Sequence, residues 1–330
     1  MINLLKVHGS ENTFFLLDQN QLSRPLTEEE LIQTAVKITD GSAGILGGAD
    51  GLLVVDDGVH QNTLGRMRVI NSDGSIASMC GNGLRTVSRY LGEKYDKDEF
   101  LVETAEADLQ VGRAPALGNG VATYHVEISP VRFETSALPM NAAGRSELIH
   151  SNVVDLNETI KFSAIAVPNP HLIAIEEPHQ ILNKTKLGEL GQRFNEQNPW
   201  FPDGVNVSFG RVIGQNQIFV ETYERGVGFT NACGTGMAAT SVIWTLLNDG
   251  KTGVNTVNNV YNPGGMVQTR VRQDDGEYKI DLIGNATFTH QIQINEEQLR
   301  KNHFEKAKIV ETGEEESYQE FVKALPSYSF

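Results

Sequence analysis

The chain carries an internal repeat. Residues 79–88 read MCGNGLRTVS and residues 232–241 read ACGTGMAATS, so a cysteine, two glycines and a serine recur at an offset of 153 residues. The same offset lays Asp50-Gly51-Leu52-Leu53-Val54 on Asp203-Gly204-Val205-Asn206-Val207 and sets Asn71 opposite Glu224, each nine residues before its cysteine. A looser match, at an offset of 157, pairs the strand-turn-strand around Asn12 with the one around Asn169, as a small insertion between two copies would produce. Two copies of one unit are expected to fold alike, and duplicated halves commonly face each other across a cleft. At 330 residues the chain is long enough for each copy to bury its own apolar core.

Local patterns make the class mixed α/β. Thr27 followed by Glu30 is a capping-box signature, and Leu31, Ile32, Ala35 and Val36 follow at helical spacing, which predicts a helix over 26–39. Apolar runs at 52–55, 67–70 and 165–175, bounded by Gly, Asp, Asn or Pro, suit buried strands. The stretch from about 295 to 323 is rich in Glu and Lys with Leu299, Phe304, Ile309, Phe321 and Val322 interspersed, which suggests surface helices without chemistry.

Cys-Gly-x-Gly is the part of the repeat that carries chemistry. Two glycines let the backbone turn sharply and approach a ligand, and Leu84, Val87 and Leu91 after the first copy, like Met237, Thr240, Ile243 and Leu246 after the second, begin helices. Each cysteine then sits at a helix N-terminus, where free N–H groups and the helix dipole favour a thiolate or a substrate carboxylate. Taken singly, such a turn is equally what an inert buried cysteine looks like. Two copies at matching positions, using both cysteines of the chain, point instead to a pair of reactive thiols. Inverting a stereocentre that bears hydrogen needs a base on one face and an acid on the other, and two thiols of similar strength satisfy it. An amino-acid α-proton is far less acidic than a thiol of pKa about 8.5, so preorganised dipoles in a dry site must stabilise the carbanion. The backbone amides of Gly81, Asn82, Gly234 and Thr235 are the natural donors to an α-carboxylate.

Composition removes several other functions. Acidic residues outnumber basic ones 42 to 27, a net charge of −15, and no Lys/Arg run tracks a phosphate backbone, so nucleic acid is not an expected partner. The first fifteen residues, MINLLKVHGSENTFF, form neither a secretory signal nor a membrane span, which predicts a cytoplasmic protein with no membrane partner. Two cysteines cannot build a disulfide framework, and the eight histidines lack ligand spacing, so reduced thiols and no metal are expected. No pyridoxal-binding lysine motif is visible and no cofactor is expected.

MCGNG, ACGTG with the preceding YERGVGFTN, the N-terminal VHGSENTFF and VPNPH together resemble the diaminopimelate epimerase family, over about residues 1–293. The resemblance implies two pseudo-symmetric α/β domains, each a curved mixed sheet around a central helix, with the active site in the cleft between them and the C-terminal strand returning to the first domain. Boundaries follow at 1–131, joined by 286–330, and at 132–285. It implies cofactor-independent interconversion of LL- and meso-diaminopimelate, in lysine and cell-wall precursor synthesis, by a possible homodimer. Carried over by position, Cys80 and Cys233 are base and acid in exchangeable roles. Asn12, Asn71, Asn169, Asn206, Glu224 and Arg225 bind substrate, Glu224 also influences the thiol, and His171 tunes the thiol pKa. Asn12 and Asn169 also suit a purely turn-satisfying role, and His171 a hydrogen-bonded core role.

The chain departs from the family pattern in places. The usual HGxGND is His8-Gly9-Ser10-Glu11-Asn12-Thr13, the usual GIGADG is expanded over 44–51, and Phe229 stands for an acidic residue. These departures leave open a related racemase acting on another amino acid. Two other classes also remain: a redox switch, in which the paired thiols oxidise to a disulfide, and a non-catalytic amino-acid-binding protein, which needs neither thiol.

Overall fold

The computed structural model describes all residues except 119, 143, 154–156, 179–180 and 249–252. Along the chain come β1 (Ile2–Gly9), β2 (Asn12–Asp18), α1 (Glu28–Thr39), β3 (Gly51–Asp56), β4 (Thr63–Asn71), β5 (Ile76–Ala77), α2 (Gly81–Tyr95), β6 (Glu99–Glu103), β7 (Asp108–Leu117) and β8 (Val121–Ile128). Then follow β9 (Ser151–Val153), β10 (Asn157–Val167), β11 (Asn169–Ile175), α3 (Lys184–Asn195), β12 (Asn206–Gly214), β13 (Gln217–Glu224), β14 (Gly228–Phe229), α4 (Gly234–Leu247), β15 (Val257–Asn262), β16 (Gly265–Asp274) and β17 (Glu277–Asn285). The chain ends with β18 (Thr287–Ile294), α5 (Glu296–Arg300), β19 (Lys308–Glu311) and α6 (Glu314–Ala324). Two compact units result: 1–126 with 284–324, and 127–283 with 325–330.

The two units repeat one ladder. In the first, β1, β2, β3, β4, β6, β7 and β8 pair in that order, with successive pairs antiparallel, parallel, antiparallel, parallel, antiparallel and antiparallel. In the second, β10, β11, β12, β13, β15, β16 and β17 follow the same sequence of pairings. The 165–175 run is a hairpin of two strands, because Pro168 has no N–H for a ladder and the turn falls there, with Val167 opposite Asn169. Each sheet packs on one helix, α2 in the first unit and α4 in the second. Helix α4 is buried nearly all round, Met237, Ala238, Ala239, Val242, Ile243 and Trp244 included, as a helix enclosed by a sheet must be. On the outer side, α1 closes a core of Leu31, Ala35 and Ile38 against Phe15, Leu52 and Val54, and α3 closes one of Leu187, Leu190 and Phe194 against Phe162, Phe201 and Phe209. The capping box of α1 forms as expected, with Glu30 N–H on Thr27 Oγ1 at 3.2 Å and Thr27 N–H on Glu30 Oε2 at 2.7 Å.

The charged tail differs from a set of surface helices. Strand β18 adds to β1, and β19, within the tail, adds to β18. Leu299, Phe304, Tyr318 and Phe321 are buried. Their apolar spacing is interrupted by the strand, so a helical reading of 295–323 misses it. No helix among the described residues is long and apolar enough to cross a membrane.

The tail is held by charge as well. Arg89 of α2 grips Glu314 bidentately, Nη1 to Oε2 at 2.6 Å and Nη2 to Oε1 at 2.7 Å, while the guanidinium lies 4.0 Å from the Phe288 ring centroid. Glu314 also accepts the Phe288 N–H at 3.0 Å. Replacing it removes the bidentate partner of a mostly buried guanidinium and leaves it only the half-exposed Glu93, at 2.7 Å, as a carboxylate. Glu314→Ala is expected to lower unfolding free energy in urea by about 1–3 kcal/mol, and a loss under about 0.5 kcal/mol would show that the pair does not anchor the tail.

Candidate active site

In each unit the sequence-predicted residues fall at strand and helix ends. Asn12 and Asn169 open β2 and β11, Asn206 opens β12, Asn71 and Glu224 close β4 and β13, and Cys80 and Cys233 stand immediately before α2 and α4.

In the first unit Cys80 is the N-cap of α2, with extended φ and ψ of −144° and 108°, and its Sγ accepts the Gly83 N–H at 3.4 Å. A Cβ on Gly83 would lie 2.7 Å from Leu53 Cδ2, which accounts for the second glycine of the motif. Sγ is 3.6 Å from Asn12 Oδ1, which also accepts from Asn82 Nδ2 at 3.4 Å. The Asn12 amide is oriented by Asp50, whose Oδ2 accepts from Asn12 Nδ2 at 2.8 Å and from the Thr13 N–H at 2.7 Å. Asn71 Nδ2 donates to Ser75 Oγ at 2.9 Å within its own turn.

The second unit repeats the cap. Cys233 is the N-cap of α4, φ −112° and ψ 102°, and Sγ accepts the Gly236 N–H at 3.4 Å. A Cβ on Gly236 would meet Thr222 Oγ1 at 2.7 Å and Sγ itself at 3.1 Å. Thr235 Oγ1 lies 3.7 Å from Sγ. The Glu224 carboxylate acts on the thiol electrostatically and accepts the Thr230 hydroxyl. Asn206 Oδ1 accepts the Arg225 N–H at 2.7 Å, and Arg225 Nη1 donates to the Asp203 carbonyl at 3.1 Å. His171 is fully buried and pairs with Asn169 Oδ1 through Nε2 at 2.9 Å.

The electrostatics of the two thiols differ. Burial raises the Cys80 pKa, opposed by the Gly83 N–H, the Arg85 charge and the Asn82 N–H, while Asp50 adds to the rise. Burial also raises Cys233, and the Glu224 charge reinforces it against the Gly236 N–H and the Thr235 hydroxyl. Burial, with the nearby Arg225 charge, holds His171 down to about 3. At neutral pH the ring is therefore uncharged, and Nε2–H donates to Asn169 Oδ1; its direct contact orients the asparagine.

At the helix starts the N–H groups of Gly81, Asn82, Gly234 and Thr235 have no carbonyl four residues earlier within the helix. Each unit thus offers backbone N–H donors for an anion beside a thiol. Among the described residues no group of three or more His, Cys, Asp or Glu side chains is disposed to hold a metal. The sequence reading assigned no role to Asp50, Arg85, Thr222 or Thr230. Only Asp50 carried a signal, since it recurs as Asp203 in the repeat.

The family profile described as diaminopimelate epimerase matches residues 4–122 and 163–289. A protein of that name from Enterococcus faecalis is 52% identical over 325 residues, 98% of each chain. One from Lactiplantibacillus plantarum is 49% identical over 329 residues, 98% of each, and one from Listeria monocytogenes 45% over 335 residues, 99% of this chain and 98% of its own. Among solved structures, a phenazine biosynthesis protein of the PhzF family from Bacillus anthracis superposes with a TM-score of 0.59 at 15% identity, covering 89% of this chain and 99% of its own. A methylitaconate-delta-isomerase gives 0.58 at 14%, covering 99% and 98%. These two likenesses concern the fold.

The β1–β2 turn beside Cys80 is one of several places where non-glycine residues take left-handed φ. Gly9 pairs with Asn12, and the two residues between them, Ser10 and Glu11, both adopt left-handed φ, 52° and 64°. Such a turn favours glycine, and Glu11 occupies a site where its Cβ is disfavoured. Its carboxylate gains only an exposed contact from Gln319 Nε2 at 3.3 Å. Glu11→Gly is expected to raise unfolding free energy by about 0.5–1 kcal/mol, and a measured decrease would mean that the Gln319 contact outweighs the backbone strain.

Proposed function

Since the chain belongs to the diaminopimelate epimerase family, an isomerase family that works without pyridoxal phosphate, we propose that it inverts the α-carbon with Cys80 and Cys233 as its two proton-carrying groups. The activity is the interconversion of LL- and meso-2,6-diaminopimelate. The observation that carries the two-thiol reading is the equivalence of the cysteines: both are N-caps, and both accept the N–H of the glycine three residues on at 3.4 Å.

In this mechanism one cysteine, as thiolate, removes the α-proton. The C–H electron pair stays on carbon, and the other cysteine, as thiol, protonates the opposite face. The reverse direction exchanges the roles. The α-carboxylate is received by the first-turn N–H groups of Gly81, Asn82, Gly234 and Thr235, whose fixed dipoles oppose the charge that builds up beside the carboxylate. The distal amino and carboxylate groups are read by Asn12, Asn71, Asn169, Asn206, Glu224 and Arg225. Arg225 offers a planar fork for a carboxylate and Glu224 a counter-charge for an ammonium. His171 holds Asn169 in register as a neutral donor. The replacements at Ser10, Glu11, Thr13 and Phe229 leave both cysteine caps intact.

Two finer readings accompany this one. A cytoplasmic location is supported by the two free thiols, which the chemistry needs reduced. A homodimer is an expectation from the family, and sedimentation equilibrium tests it.

Incubation with LL-diaminopimelate in deuterated water should yield meso product with deuterium at the inverted carbon. Cys80→Ala and Cys233→Ala should each lower epimerisation at least about a hundredfold, the scale of losing one positioned acid or base. Full epimerisation by either variant would remove the two-thiol mechanism. A substrate panel in the same assay, led by other amino acids, would expose a racemase of different specificity.

A further inference from the structure

Among the described residues, buried charged side chains of Asp, Glu, Lys and Arg are paired, with one exception. Asp18 meets Lys94 at 2.6 Å, Asp281 meets Arg270 at 2.6 Å, and Arg89 meets Glu314. Arg85, on α2, is fully buried, and no carboxylate among the described residues pairs with it. Its Nε donates to the Asn285 carbonyl at 3.1 Å, Nη2 donates to Ser10 Oγ at 3.1 Å and Asn82 Oδ1 at 3.0 Å, and Nη1 has no hydrogen-bond partner. Burial lowers its pKa to about 10, which leaves it charged at neutral pH. A buried cation without a counter-ion is a cost to folding unless an anion forms beside it. Five residues back on the same helix start stands the Cys80 thiol.

The second copy of the repeat has no such cation: at the offset of 153, Arg85 corresponds to Ala238. The opposite substitution occurs nine residues before each cysteine, where Asn71 corresponds to Glu224. One thiol is therefore served by a cation and neutral amides, and the other by a carboxylate. The other charged or titratable groups facing the first pair are Asp50, which opposes an anion at Cys80, and Tyr318 of α6, near Arg85, whose phenol burial pushes up and keeps neutral.

Building on the two-thiol reading, we propose that Arg85 is a positioning residue whose guanidinium is the buried countercharge of Cys80, so that the unliganded enzyme rests with its thiolate at Cys80 and its proton at Cys233. Arg85 also holds Asn82, whose side chain reaches Asn12 Oδ1 beside the sulfur, so charge and orientation are delivered by one side chain.

The test reads the thiols directly, without turnover. Iodoacetamide, from which a thiolate displaces iodide to form a C–S bond, is pulsed over a pH series, and each cysteine is quantified by peptide mass spectrometry. In the wild type, the midpoint for Cys80 should lie below that for Cys233. Arg85→Gln should raise the Cys80 midpoint by about one unit, a tenfold loss of thiolate at fixed pH, and leave Cys233 unmoved. Arg85→Lys, which keeps the charge and loses the fork, should retain most of the wild-type midpoint. Glu224→Gln should lower the Cys233 midpoint alone. A wild-type order with Cys233 lower, or an unmoved Cys80 midpoint in folded Arg85→Gln, overturns the proposal. If Arg85→Gln fails to fold, the wild-type order and Glu224→Gln decide. Because alkylation does not depend on epimerisation, failure here is separable from failure of the two-thiol reading, which the alanine variants test by exchange.

Discussion

A cysteine sulfur accepting the N–H of the residue three places on is the contact on which each unit is organised. Helix N-caps are usually Ser, Thr, Asp or Asn, whose oxygen satisfies one of the orphan donors of the first turn. Sulfur is a larger and weaker acceptor, and the 3.4 Å approach to Gly83 and Gly236 is correspondingly long. The geometry closes only because those positions lack a side chain, since a Cβ would run into Leu53 in one unit and Thr222 in the other. What the weaker cap gives up in helix stability places a thiol at the positive end of a helix dipole. The sheets then pack on α2 and α4, burying the helices that hold those thiols.

Burial works against this arrangement and fixes its chemistry. A desolvated thiol holds its proton more tightly, and both cysteines are shifted upward for that reason. Amide donors at the helix start offset part of the shift without adding mobile charge. The amides proposed to receive a carboxylate, those of Gly81, Asn82, Gly234 and Thr235, belong to the same first turns as the Gly83 and Gly236 amides that cap the sulfurs. Orientation around them depends on acceptors that are themselves held: Asp50 fixes Asn12, and Asn206 is fixed on the Arg225 amide.

The sequence disclosed what repeats and what is local. The duplicated cysteine segments, the Thr27–Glu30 cap and the apolar runs at 52–55 and 67–70 each depend on residues within a few positions, and each appears where expected. Residues joined across long separations were not legible. Arg85 reads as an ordinary helical position within LRTVS until Asn285, two hundred residues later, is seen to accept its hydrogen bond. Glu314 and Glu315 read as solvated charges, yet one pairs with Arg89 and the other with the buried His8 at 2.9 Å. Strand β19 was hidden because its side chains are exposed, leaving no alternation to detect. The left-handed turn at Glu11 was invisible for the opposite reason, since its residue type argues against the conformation it adopts.

The two copies agree where backbone geometry is at stake and diverge where charge is. The order and sense of strand pairing, the N-cap conformation and the tight glycines are preserved, and each is demanded by hydrogen-bond closure or van der Waals space. Arg85 against Ala238 and Asn71 against Glu224 are not demanded by either. Alanine in a helix interior is the better former and needs no partner, so folding alone would favour it at both positions. A scaffold of two identical halves would give its thiols identical affinities for a proton. An acid–base pair of the kind proposed must begin a cycle with one proton shared between two sites, and unequal charges on matching backbones are what would decide which site holds it. Under the two-thiol proposal, the repeated backbone lets either thiol act, and these few side chains set the direction in which the pair is poised.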